Sequence, residues 1–226
     1  MKKITSLLLF ALLSIRTVAV CGCPTIQADS TAKRTVGILI FYNAEVLDFA
    51  GPFEVFAVAN QIHNDELFDV YTIAKTTDPI TAVNGLSVNP DFSFENAPEL
   101  DILILSGGMG VSLLINDQET LDWVAEKVND AELTMSVCTG AALLAQLGRL
   151  ENKPYCTHHT VYPFIENMDP SAEPQKDLRF VQSDSRLFTS AGISAGIDLS
   201  FHIVELLYGK DVAQYTATYM EYKGYE

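Results

Sequence analysis

The sequence predicts an α/β domain in which a mostly parallel central sheet carries helices on both faces. Three observations predict it. Residues 36–42 (VGILIFY), 101–105 (DILIL) and 133–137 (LTMSV) are short, nearly continuous apolar runs, as expected of strands buried on both sides. Segments of helical periodicity alternate with those runs along the chain. No linker rich in Gly, Pro or Ser divides residues 35–222, and 226 residues suit one sizeable core, so that span reads as one domain.

Residues 29–34 are polar and read as a linker before the first strand, 36–42. Gly51-Pro52 then opens a helix, because proline suits a first helical turn. Phe53, Phe56, Ala57 and Asn60 share one of its faces, with Val55, Ala59 and Ile62 widening the apolar stripe. Residues 68–74 (FDVYTIA) form the next strand. Asn84-Gly85, lying between Pro79 and Pro90, is a two-residue hairpin signal and marks a small excursion from the sheet. The strand 101–105 ends at Ser106-Gly107-Gly108, and residues 117–129 follow as a helix. Strand 133–137 runs straight into Cys138-Thr139-Gly140 and an Ala/Leu helix to Leu147, with Gly148 as its C-cap. Residues 155–158 read as a short strand, 180–182 and 187–189 as a hairpin, and 194–208 and 210–222 as two closing helices.

Residues 1–28 read as a leader rather than as part of the fold. Lys2 and Lys3 precede the apolar stretch Ser6 to Ile15, which is too short for a membrane span of roughly 20 residues and is stopped by Arg16. Two processing routes are readable: cleavage after Ala28, or a degraded lipobox that would place a lipid on Cys23. Cys21 is a poor lipobox residue, so export to the periplasm without a lipid anchor is the preferred reading. Cleavage after Ala28 leaves 11 basic against 29 acidic residues, a net charge of −18. Such a surface excludes nucleic acid as a partner, since phosphate binding needs a basic footprint. Cys138 and Cys156 remain outside the leader, and an oxidising compartment raises the question of a disulfide that spacing alone cannot decide.

In an open α/β sheet, ligands bind beyond the carboxyl ends of the strands. Asp48, the Gly107-Gly108 loop and Cys138 all fall at such ends. Cys138 sits between a strand and a helix N-terminus, where free N–H groups favour the nucleophilic thiolate. Its setting resembles the sharp elbows that expose a nucleophile, although a buried inert cysteine is common. Asp48 has apolar neighbours and should hold its proton unusually tightly, as a catalytic acid needs. Taken alone, without the cysteine, it reads as a helix N-cap. Gly107 and Gly108 can bring backbone N–H groups to a developing oxyanion, or simply form a tight turn. His158 and His159 adjoin Cys156, but zinc sites take three or four ligands and no second Cys/His cluster exists, so no metal is expected. No P-loop is present, and no cofactor is expected.

Taken together, four segments resemble the ThiJ/PfpI family of the glutamine-amidotransferase-like superfamily, over residues 35–222. They are Val46-Leu47-Asp48-Phe49-Ala50-Gly51-Pro52-Phe53-Glu54-Val55-Phe56, Ser106-Gly107-Gly108, Ser136-Val137-Cys138-Thr139-Gly140-Ala141, and Thr189 to Asp198 (TSAGISAGID). The resemblance implies a flavodoxin-like three-layer sandwich and a homodimer, with the cysteine on a nucleophile elbow. The LDFAGP and Cys-Thr-Gly segments look most like isonitrile hydratases and the amidotransferase-like domains of AraC-type regulators. By that similarity Cys138 is the nucleophile, Asp48 its acid/base partner and Thr139 a residue required beside it, while His158 matches a position that lines the substrate pocket. Thr139 stands where the protease branch carries a histidine, which argues against proteolysis. The expected activity is hydration of an isonitrile to an N-substituted formamide. Aldehyde chemistry of the glyoxalase or deglycase type, or an exported ligand-binding protein without turnover, are the alternatives. Replacing Cys138 or Asp48 should abolish turnover and leave unfolding nearly unchanged.

Overall fold

The computed structural model describes residues 30–64 and 66–225. The leader, both of its processing routes and Cys23 lie outside the described residues. In chain order the strands and helices are β1 (Arg34–Leu39), α1 (Val46–Ile62), β2 (Phe68–Ala74), β3 (Ile80–Thr81), β4 (Ser87–Val88), β5 (Phe92–Ser93) and β6 (Ile102–Leu105). There follow α2 (Val111–Leu114), α3 (Gln118–Asp130), β7 (Leu133–Ser136), α4 (Ala141–Gln146), β8 (Pro154–Tyr155) and α5 (Tyr162–Met168). The chain continues through β9 (Glu173–Pro174), β10 (Phe180–Gln182), β11 (Leu187–Ser190), α6 (Ala195–Tyr208) and α7 (Lys210–Tyr219).

Seven strands form the central sheet, in the order β10-β11-β7-β6-β1-β2-β5. Every pairing is parallel except the β10–β11 hairpin at one edge. The apolar strands therefore stand where the alternating pattern puts them, in the middle of the sheet. Ile38, Ile102, Leu103, Ile104, Leu133 and Met135 are fully buried. Helices α1, α6 and α7 pack as one group, and α2 to α5 as a second on the opposite face. This is the flavodoxin-like sandwich. Truncating Ile104 to Ala in the central β6 should cost about 2–5 kcal/mol, read as a lower urea midpoint with an unchanged slope.

Strand order explains where a ligand can go. From β1 the chain crosses to β2 on one side, and later elements return to place β6 on the other side. The carboxyl ends of β1 and β6 thus flank a topological switch point, the usual place for a crevice in such a sheet.

Several expected elements shift. Helix α1 begins at Val46, not at Pro52, and Glu45 rather than Asp48 occupies its N-cap position. Pro52 lies inside the helix and has no N–H to give the carbonyl of Asp48, four residues earlier. The helix survives because Phe49, Val55, Phe56 and Ala59 are buried; of the expected stripe Val55, Phe56 and Ala59 face the core, while Phe53, Ala57, Asn60 and Ile62 are only half-buried. The strand expected at 155–158 is only Pro154–Tyr155, paired with Glu173–Pro174. Asn84 and Gly85 both adopt positive φ between the antiparallel β3 and β4, but in a tight turn over Val83–Gly85 within a five-residue connection rather than a two-residue loop.

Candidate active site

Cys138 follows β7 by two residues and sits at φ 56°, in the left-handed region that non-glycine residues seldom adopt. Its N–H donates to the Ala191 carbonyl (3.2 Å), and its own carbonyl accepts from the Thr157 hydroxyl (2.8 Å). Those two bonds hold the sharp turn that aims the sulfur away from the sheet. The expected elbow is there. Strain of this kind costs on the order of 1–3 kcal/mol and persists only where the surroundings enforce it.

Asp48 reaches the sulfur from the other side of the switch point. The Ser106 hydroxyl donates to the Leu39 carbonyl, tying the ends of β6 and β1 together. Glu45 N–H donates to the Gly107 carbonyl (2.9 Å), docking the start of α1 on the glycine loop. The Asp48 side chain is then fully buried in the first turn of α1, and neither carboxyl oxygen has a partner at strict hydrogen-bond geometry. Burial pushes its pKa up to about 7, and the charge of Glu45 adds to the rise. The Cys138 thiol and the Gly107 N–H lie close enough to offset part of that. Asp48 is therefore no helix cap but a carboxyl poised between its two protonation states near neutrality.

The thiol behaves differently from the expectation. Burial, followed by the charge of Asp48, pushes the Cys138 pKa up to about 12, so desolvation and a neighbouring carboxylate outweigh the helix terminus. The following helix is only one tight turn and six α-helical residues, Ala141–Gln146, too short to supply a strong dipole. A resting thiol, not a thiolate, faces the cavity.

The glycine loop also has a different job. Gly108 N–H donates to the Thr139 hydroxyl (2.8 Å), which in turn donates to the Gly108 carbonyl (3.1 Å). Gly107 N–H faces Asp48. Neither is free to meet a developing oxyanion. The N–H groups that face the sulfur and lower its pKa belong to Ile193 and Thr139. Ile193 sits at φ 54°, a costly setting for a β-branched side chain, which marks the 191–193 turn as a strained part of the same site.

Cys138 and Thr139 form the floor of a cavity of about 610 Å³ with mostly apolar walls, among them Met109, Val111, Ile115 and Phe164. Glu45 and His158 also line it. Among the described residues, no three His, Cys, Asp or Glu side chains converge in a way that would hold a metal ion. Cys156 is free and buried, its thiol directed at the Gln175 and Leu178 carbonyls (3.4 and 3.7 Å), so the two cysteines form no disulfide.

A strand–elbow–helix cysteine at the rim of a parallel sheet, with a buried acid beside it, is the arrangement the four motifs implied. A model of the DJ-1/PfpI family matches residues 34–206. The chain belongs to that family. Isonitrile hydratase of Pseudomonas putida is 34% identical over 187 residues, 83% of this chain and 78% of that protein. The HTH-type transcriptional regulator GbdR of Pseudomonas aeruginosa is 24% identical across 84% of this chain, which spans about half (51%) of the regulator. The crystal structure of a ThiJ/PfpI family protein from Pseudomonas syringae superposes with a TM-score of 0.77 at 25% identity, covering 95% of this chain and 85% of that one.

Within this DJ-1/PfpI domain the fold brings Asp48, Gly107, Gly108 and Cys138, singled out by their places after strands, to one rim together with Thr139 and His158, which only the resemblance had pointed to. Two contributors escaped the sequence. Glu45 is three residues from Asp48 but reads as an ordinary surface acid. Ile193 lies inside the TSAGISAGID segment, where its flanking glycine gave the only hint of an unusual backbone.

Proposed function

We propose that the protein is a cysteine-dependent small-molecule enzyme of the isonitrile hydratase type. The observation that carries this reading is the buried Asp48 carboxyl facing the Cys138 thiol at the floor of an apolar cavity. The 34% identity to the P. putida hydratase supports the same chemistry.

Cys138 attacks the terminal isonitrile carbon. As the S–C bond forms, the thiol proton passes to Asp48 and on to that carbon, giving an S-bound thioimidate, S–CH=N–R. Because the proton leaves as the bond forms, the raised thiol pKa is no obstacle and no free thiolate is required. Water then adds across the C=N bond, oxygen to carbon and one proton to nitrogen. Collapse of that adduct releases the N-substituted formamide, and the remaining hydroxyl proton returns to the sulfur. Nothing is oxidised or reduced. The apolar walls suit a bulky hydrocarbon substituent on nitrogen.

Formamide production from a panel of alkyl and aryl isonitriles tests the reading, with methylglyoxal as the competing substrate. Cys138→Ala should abolish product entirely. Turnover of methylglyoxal alone would replace this activity with the aldehyde one. A second reading, a ligand-binding protein without turnover, is favoured by the same raised thiol, and it stands if isonitriles bind but no product forms.

The pair also sets a pH dependence. Asp48 must be unprotonated to accept the thiol proton, so kcat/KM should rise with pH through about 7 and stay level to pH 9. That limb should be missing in Asp48→Asn. A profile flat from pH 5 to 9 in the wild-type protein would remove Asp48 from the role of base.

A further inference from the structure

We propose that His158 acts as a neutral hydrogen-bond donor to the substrate nitrogen, and that it serves the hydration half of the reaction rather than the attack by sulfur. The inference rests on the hydratase reading and deepens it.

The contacts at Nδ1 point to one tautomer. The Thr160 backbone N–H points at His158 Nδ1 (3.4 Å), and a backbone N–H can only donate. The Thr160 hydroxyl also lies 2.8 Å from Nδ1. With Nδ1 held as an acceptor, the neutral ring carries its proton on Nε2. Burial, and then the neighbouring His159, lower the His158 pKa, against a smaller opposing pull from Glu45, so the ring is neutral near pH 7. A neutral ring whose remaining nitrogen is protonated has no lone pair to offer there. His158 is a donor, not a base.

Its position is fixed as well. Gly192 packs against the edge of the ring at Cδ2, where a Cβ would come within 2.3 Å of Cδ2 and 3.3 Å of both Cγ and Nε2. The next residue, Ile193, turns its N–H toward the Cys138 sulfur. One strained turn therefore spaces the histidine ring from the nucleophile, and both side chains line the same cavity. A substrate bonded through carbon to the sulfur carries its nitrogen one atom further out, into the cavity that the ring also lines.

The chemistry selects the step. During sulfur attack, electron density builds on the terminal carbon, which takes the proton from Asp48. During hydration, water oxygen bonds to that carbon, the C=N π pair moves onto nitrogen, and the nitrogen then receives the water proton. Only the second step develops charge on nitrogen. A donor there lowers the hydration barrier, and removing one such preorganised donor typically costs about 10²–10³-fold.

The test is turnover of benzyl isonitrile by wild-type protein, His158→Phe and His158→Gln, with intact-protein mass spectrometry during turnover. His158→Phe should lose at least about 100-fold in kcat while an adduct of one intact benzyl isonitrile accumulates on Cys138. His158→Gln keeps an N–H near the same place and should recover to within about tenfold of wild type, which a merely structural role would not produce. Full kcat in His158→Phe, or lost turnover with no adduct while His158→Gln stays active, overturns the proposal and leaves the hydratase reading intact. Wild-type protein that neither turns over benzyl isonitrile nor any other isonitrile overturns both.

Discussion

Asp48→Asn is expected to lower kcat by about 10²–10⁴-fold and to make the protein more stable above neutral pH. The first effect follows because an amide cannot accept the thiol proton. The second follows from linkage. The folded-state pKa of Asp48 is raised from 3.8 to about 7, so the folded protein binds that proton more tightly than the unfolded chain does. The stability this confers is complete below the unfolded value and is lost as pH rises through about 7. At pH 8 the wild-type protein therefore carries an ionised, buried carboxylate at a cost on the order of 4 kcal/mol at most. Asn removes the charge but retains a buried amide with its own desolvation penalty, so the gain should be smaller than that ceiling. Burial thus replaces the simpler expectation that substitution at Asp48 leaves unfolding unaffected. Thermal melts of both proteins at pH 4 and pH 8 check the sign: the difference should open at pH 8 and close at pH 4. Parallel melting curves at both pH values would show that Asp48 is not held in a desolvated site.

Gly107→Ala should lower turnover by about 100-fold although Gly107 reacts with nothing. Its Cα lies where the three parts of the site converge. An added Cβ would stand 2.6 Å from Asp48 Oδ2, 2.6 Å from the Thr139 backbone nitrogen and 2.8 Å from Thr139 Oγ1. Two of those contacts are not flexible ends that swing aside. One is backbone at the elbow, and another is a hydroxyl already bonded to Gly108. Relief must come from moving the elbow or the start of α1, which separates Asp48 from Cys138. The overpacking should also destabilise by about 1–3 kcal/mol. Kinetics together with a denaturant midpoint separate the two effects. Wild-type kcat in Gly107→Ala would mean that the acid and the nucleophile need not be held in register.

The linear order of residues determined the architecture because burial has a direct signature in it. Strands covered on both faces have nowhere to put polar side chains, so VGILIFY, DILIL and LTMSV could be recognised without coordinates, and the shared direction of parallel strands placed Asp48, Gly107 and Cys138, each following a strand, at one rim. Asn84-Gly85 was equally legible, since a tight hairpin demands positive φ. What folding alone decided is how these groups are partnered. Pro52 could be counted as a helix start only until the buried face of α1 carried the helix back to Val46. The Gly108 N–H looked available for an oxyanion until the Thr139 hydroxyl, 31 residues away, occupied it. Cys138 looked like a thiolate because a helix follows it in sequence, but its protonation depends on what surrounds the sulfur in space. There, desolvation and the Asp48 charge prevail over one short turn of helix dipole. Local sequence fixes which residues reach the rim; only close packing of distant segments sets the dielectric, the hydrogen-bond partners and the proton each one holds.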